Sequence, residues 1–181
     1  MNSQDKQYSE TNFPERLFLL GGGPSLELLY PHREEMDSWG HWAVQRVDLV
    51  QPFLEFVDPL YTIGYWDPAR QANKGYGISL DEPLGDVTTG GSLGGFISQF
   101  QKFGGKELFL FGYDGTSSGY WRDNNRHPFG GTASHGTFEM HKKDCDTANK
   151  LSWDSKNIYH LGKTRHNFMT EVSIEELKKR I

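Results

Sequence analysis

One cysteine, Cys145, stands among 181 residues. That excludes an intrachain disulfide and a cysteine-rich zinc site. None of the seven histidines forms a His-x-x-x-His pair with a carboxylate on one helix face, so no resident metal is expected. No apolar run approaches the length of a membrane span. The polar stretch Met1–Glu15 lacks the apolar core of a signal peptide, and the expectation is a protein of the reducing cytoplasm. Basic residues are scarce in the first hundred positions, which hold 6 Lys/Arg against 14 Asp/Glu; the remainder holds 13 against 10. A net charge of −5 divided in this way argues against a broad nucleic-acid surface. It leaves room for a local basic lip around a small phosphorylated molecule. The chain also lacks a P-loop, and Leu26 stands where a dinucleotide fingerprint requires its third glycine.

An aromatic content of 14% is high for a disordered chain and points to a folded core. Residues 1–15 read as a flexible lead and 16–181 as a single domain. Leu17–Leu20 is a short apolar run bounded by glycines, the pattern of a buried parallel strand. Further strands are expected at Trp42–Val47, Leu60–Tyr65, Leu108–Phe111 and Ile158–Leu161. Helices are expected at Leu26–Tyr30, at Ser92–Phe103 from its apolar stripe, and at His141–Trp153. Another is expected at Ile174–Ile181, where Ser173 and Glu176 occupy capping-box positions. Residues 69–87 read as irregular, and residues 115–140 as a mobile lid. This alternation predicts an α/β, Rossmann-like, mostly parallel sheet with helices on both faces.

Ligands of such sheets lie beyond the carboxyl ends of the strands, where Gly21–Ser25, Asp67 and Tyr113-Asp114 are expected to gather. Gly21, Gly22 and Gly23 form a turn whose backbone can approach a phosphate, with Ser25 placed to cap the next helix. Thr89, Gly90 and Gly91, in Thr88-Thr89-Gly90-Gly91-Ser92, form a second small turn before a helix. The two turns predict a nucleotide cleft. Replacing Gly23 or Gly90 by a bulky residue is expected to abolish nucleotide binding with the fold intact. His127, His135 and His141 lie in or border the lid, and neutral imidazole suits proton abstraction near pH 7. Tyr120, with Arg122 or Arg126, suits stabilisation of a departing phosphate.

Gly21-Gly22-Gly23-Pro24-Ser25-Leu26, the Thr-x-Gly turn and Gly104-Gly105-Lys106-Glu107-Leu108-Phe109-Leu110-Phe111-Gly112-Tyr113-Asp114 together resemble two related families. These are the bacterial sialyltransferases of the lipooligosaccharide type and the family that includes the archaeal 6-hydroxymethylpterin diphosphokinases. The sialyltransferase resemblance implies that Gly21, Gly23, Ser25, Thr89, Gly90 and Gly91 hold the nucleotide. It places Asp67 at a family asparagine and Tyr120 at a lid tyrosine. His141, five residues before Asp146, falls at the catalytic base, with His135 as the alternative. Val87 occupies the region of a family arginine, and Val44–Asp48 lacks a family asparagine.

The activity so implied is a metal-independent glycosyltransferase using a nucleotide-sugar donor and an acceptor that the sequence does not specify. A homo-oligomer is compatible with this reading. Two alternatives stand beside it. One is Mg²⁺-dependent, diphosphokinase-like phosphoryl transfer, with Asp67, Asp114 and Asp123 as candidate carboxylates. The other is a non-catalytic module that sequesters a nucleotide.

Overall fold

The computed structural model describes residues 13–64, 67–80, 91–116, 119–123, 126–127, 131–132, 135–150 and 156–181. Among the described residues seven strands form one sheet: β1 (Arg16–Leu20), β2 (Trp42–Val44), β3 (Tyr61–Thr62), β4 (Ile78–Ser79), β5 (Glu107–Phe111), β8 (Ile158–Leu161) and β9 (Thr170–Val172). Their order is β4-β3-β2-β1-β5-β8-β9, and every described pairing is parallel. A separate antiparallel pair joins β6 (Arg126–His127) to β7 (Gly131–Thr132). The helices are α1 (Leu26–Leu29), α2 (Asp67–Asn73), α3 (Gly91–Lys102), α4 (His135–Ala148) and α5 (Ile174–Arg180). The fold is mixed α/β with a largely parallel sheet flanked by helices, consistent with a Rossmann-like arrangement. Among the described residues no helix is long and apolar enough to cross a membrane.

Both faces of the central strands are buried, which explains their unbroken apolar runs. Phe18 and Leu20 of β1 and Phe109 and Phe111 of β5 enter one core, with α1, Trp121 and Leu177 of α5. Leu17, Leu19, Leu108 and Leu110 enter the other, against Leu93, Phe96, Ile97 and Phe100 of α3. Across the first face runs a ladder of register-matched aromatics. Trp42 stacks on Phe18 at 5.0 Å, Phe18 on Phe109 at 5.2 Å, and Phe109 on Tyr159 at 4.9 Å. Each such pair adds about 0.5–1.5 kcal/mol beyond its buried area.

Several expectations are corrected. Helix α2 (Asp67–Asn73) runs into the span 69–87 read as irregular, and β4 (Ile78–Ser79) lies within it. Both residues of β4 are exposed and carry no alternating signal. Asp67 opens α2 and does not terminate a strand, because β3 ends at Thr62. β2 ends at Val44, three residues earlier than expected. The span 115–140 is not one long loop: it contains a turn at Trp121–Asp123, the β6–β7 pair and the first turns of α4. Gly136, a poor helix former at the second position of α4, masks that early start in the sequence. The expected capping box of α5 forms, with Ser173 and Glu176 bonded reciprocally at 3.1 and 2.9 Å.

Candidate functional site

The chain leaves β1 for β2 on one side and returns to place β5 on the other, so the order reverses between β1 and β5. In an open α/β sheet this switch point is where ligands bind, beyond the carboxyl ends of the strands. Here Gly21–Ser25 follows β1 and Gly112–Asp114 follows β5. Helix α3 ends at Lys102, shortly before β5 begins at Glu107, so it runs back against the parallel strands and opens on their carboxyl side.

The two strand ends are laced together. Gly21 N–H donates to Phe111 O at 2.7 Å and Gly23 N–H to Gly112 O at 2.8 Å. Ser25 N–H donates to Asp114 Oδ2 at 3.0 Å. Three donors of the turn are therefore engaged by the chain itself. Each glycine also has a packing reason. A Cβ on Gly21 would lie 2.8 Å from Gly112 O, one on Gly22 2.6 Å from Leu49 Cδ1, and one on Gly23 2.4 Å from Asp114 Oδ2. Ser25 heads α1, but its side chain makes no capping bond; the carboxylate of Asp114 satisfies that helix end instead.

Two buried histidines clamp the peptide of Tyr113. Its N–H donates to His160 Nε2 at 3.0 Å, which leaves the proton on Nδ1 to bond Gly162 O at 3.1 Å. Its carbonyl accepts from Thr164 Oγ1 at 2.7 Å and from His166 Nδ1 at 3.1 Å. Burial lowers the pKa of His160, against the opposing effects of Gly162 O and Asp114, and pushes His166 down to about 4. Both rings are neutral scaffolding near pH 7. Burial also holds the Tyr113 hydroxyl well above its ordinary pKa.

Among the described residues, three polar atoms beyond the ends of β1 and β5 are buried without a hydrogen-bond partner: Ser25 Oγ, Tyr113 Oη and Asp114 Oδ1. Buried polar atoms are nearly always satisfied, so three beside two paired strand ends call for an explanation. Tyr120 closes the neighbouring side, 3.5 Å from the Cβ that Gly22 lacks, with the guanidinium of Arg46 5.8 Å from its ring centre. Burial raises the Tyr120 pKa and Arg46 opposes the rise. Arg46 follows β2, is only 8% exposed, and pairs through Nε with Asp48 at 3.1 Å. Asn73 of α2 fixes that corner, accepting from Val47 N–H and donating to Gln45 O. The sequence reading missed Arg46, Asp48 and Asn73, although Arg-x-Asp directly after an apolar strand was a usable signal.

Gly21, Gly22, Gly23, Ser25, Tyr113, Asp114 and Tyr120 are thus brought together. Gly91 opens α3 at the same edge, whereas Thr89 and Gly90 lie outside the described residues. Asp67 follows β3, two strands from β1. His135 and His141 both belong to α4. Position 141 falls one helical turn before Cys145, whose buried thiol lies 2.8 Å from the Cβ that Gly115 lacks. Asp146 is engaged elsewhere, accepting from Arg165 Nε at 2.8 Å. Arg122 is held by Glu27 at 3.1 Å and stacks 3.9 Å from the Tyr30 ring centre, which diverts it from a departing phosphate. Among the described residues no three His, Cys, Asp or Glu side chains are grouped to hold a metal ion.

Comparison with protein-family models, with curated proteins and with solved structures finds no match to this chain.

Proposed function

We propose that this protein is a glycosyltransferase that takes a nucleotide-sugar donor in the crevice between β1 and β5. The observation that carries this reading is the set of three unpartnered buried atoms, Ser25 Oγ, Tyr113 Oη and Asp114 Oδ1, at the switch point of the sheet. The resemblance of the two glycine turns to the sialyltransferases supplies the chemistry. In this reading the acceptor hydroxyl loses its proton to His141 while its oxygen attacks the anomeric carbon. The bond from that carbon to the donor phosphate oxygen breaks, and Tyr120 donates to the departing phosphate. Room for an acceptor is available nearby. A cavity of about 430 Å³, lined by Tyr30, Arg33, Gln51 and Tyr76 among others, shares Tyr30 with the wall that Trp121 forms beside Tyr120.

The test is nucleotide release from CMP-, UDP- and GDP-sugars, with added Mg²⁺ or EDTA. Turnover unaffected by EDTA is expected. His141→Ala should lower it by about two to four orders of magnitude, the usual contribution of a positioned acid–base group, with nucleotide affinity unchanged. Near-wild-type turnover of that variant refutes the base assignment, and loss only in His135→Ala moves the role there. Activity seen only with Mg²⁺ and ATP would replace this reading by phosphoryl transfer. A nucleotide-sequestering module is the second reading. One observation favours it: the N–H donors of Gly21, Gly23 and Ser25 are already engaged. Binding without consumption of any donor would establish it.

A further inference from the structure

Asp114 is 9% exposed, and its two oxygens differ. Oδ2 accepts the Ser25 N–H at 3.0 Å, which fixes the carboxylate, while Oδ1 is buried without a partner. His160 Nε2 lies 3.8 Å from Oδ1 but cannot serve it, because its lone pair already accepts the Tyr113 N–H. A buried acceptor in this state is served by a donor from outside the chain, a water or a ligand hydroxyl.

A carboxylate accepts hydrogen bonds and donates none. A phosphate placed against it would meet like charge and offer no proton. Three of the four N–H groups of the neighbouring turn that would offset this, those of Gly21, Gly23 and Ser25, are bonded to Phe111 O, Gly112 O and Asp114 itself. The β1–α1 turn is therefore a poor place for the phosphate that its glycines suggest. The 12-residue helix α3 opens on the carboxyl side of the same parallel sheet, and its N-terminal dipole favours negative charge. The group left for Asp114 is a neutral donor. Ser25 Oγ and Tyr113 Oη, also unpartnered and able both to give and to take a hydrogen bond, extend the same polar edge.

We infer that Asp114 reads the ribose of the bound nucleotide, accepting one of its hydroxyls on Oδ1, with the phosphates turned toward the start of α3. This rests on the nucleotide-binding part of the proposed function. It reverses the orientation that the glycine turn implies, takes the departing phosphate away from Tyr120 beside Gly22, and assigns a carboxylate at the end of β5 to the discrimination of ribose from deoxyribose.

The experiment is calorimetric titration of the whole chain with AMP, CMP, GMP and UMP and with their 2′-deoxy and 3′-deoxy counterparts. Wild-type protein, Asp114→Asn and Ser25→Ala are compared. On wild type, removing one of the two hydroxyls should weaken binding by about 10- to 100-fold, the value of a hydrogen bond to a charged group. In Asp114→Asn that preference should fall below about 3-fold, because the charge that strengthens the bond is gone. Equal wild-type affinity for ribo- and deoxynucleotides overturns the inference and leaves nucleotide binding standing. A preference undiminished in a folded Asp114→Asn also overturns it. If that variant does not fold, the wild-type comparison decides alone. Absence of binding by any nucleotide at millimolar concentration removes the reading beneath it as well.

Discussion

Gly23→Ala separates two explanations of the glycine turn. If Gly23 serves a ligand's close approach, alanine should leave stability intact and cost only binding. The structure gives a different reason for the missing side chain. A Cβ at position 23 would lie 2.4 Å from Asp114 Oδ2 and 2.7 Å from Gly112 O. The second of these is backbone, anchored by the parallel pairing of β1 with β5, and cannot swing away. Overpacking of this kind costs about 1–3 kcal/mol. Moving the carboxylate also weakens the Ser25 N–H bond, and hydrogen bonds to charged groups contribute about 1.5–3 kcal/mol. One relaxation relieves part of both, so about 3 kcal/mol is expected in total. For a chain of this length that lowers the melting temperature by about 6–12 °C. Gly22→Ala is the internal control. Its Cβ meets the end of the Leu49 side chain at 2.6 Å, which can rotate, and the expected cost is about 1 kcal/mol. Thermal and urea unfolding followed by circular dichroism measure both. A Gly23→Ala protein melting within about 2 °C of wild type would refute the packing argument and return Gly23 to the ligand.

Two further outcomes follow from buried groups. His166 has its pKa lowered to about 4 by burial, from an ordinary 6.5, so the unfolded chain binds more protons between those values. Its contribution to stability is complete above pH 6.5 and is lost as pH falls toward 4, by roughly 3 kcal/mol. The melting temperature of His166→Asn should therefore fall less steeply than that of wild type between pH 7 and 4.5; parallel slopes would show that the ring does not control the acid limb. Cys145 is buried, and desolvation raises its thiol to about 11, the nearby Asp146 adding to the effect. An aromatic disulfide reagent at pH 8 should label it only in denaturant, and rapid labelling of the native protein would contradict this burial.

The sheet's centre was readable because its strands are short apolar runs closed by glycine, and α3 and α5 because a regular stripe and a capping box mark them. The outer elements were not. β4 has two exposed residues and β9 a single buried one, Val172, so neither alternates long enough to be seen. α4 is polar around much of its surface and holds a glycine in its first turn. At the site, the sequence reading gave the glycines of the β1–α1 turn a ligand, and the structure adds a packing cause, the approach of Gly112, Leu49 and Asp114. Pairwise contacts between distant segments carry no local signature, which is why Asn73 bonding to Gln45 and Val47 was invisible. His160 was less hidden. A lone polar residue inside the buried strand Ile158–Leu161 must have a partner, and it has two.

The same strand order that reverses between β1 and β5 also sets a timetable. Phe18 meets Trp42 soon after both are made, but its other neighbour, Phe109, follows 91 residues later. At about 5–20 residues per second, a ribosome needs roughly 5–18 s to supply it. Through that interval one edge of an almost wholly apolar strand has no partner, and parallel pairing offers no local hairpin to shield it. Self-association of the growing chain is most favoured then, and it ends when β5 docks. Nascent chains halted before residue 107 should aggregate, whereas chains that extend beyond 111 should acquire protease resistance around β1.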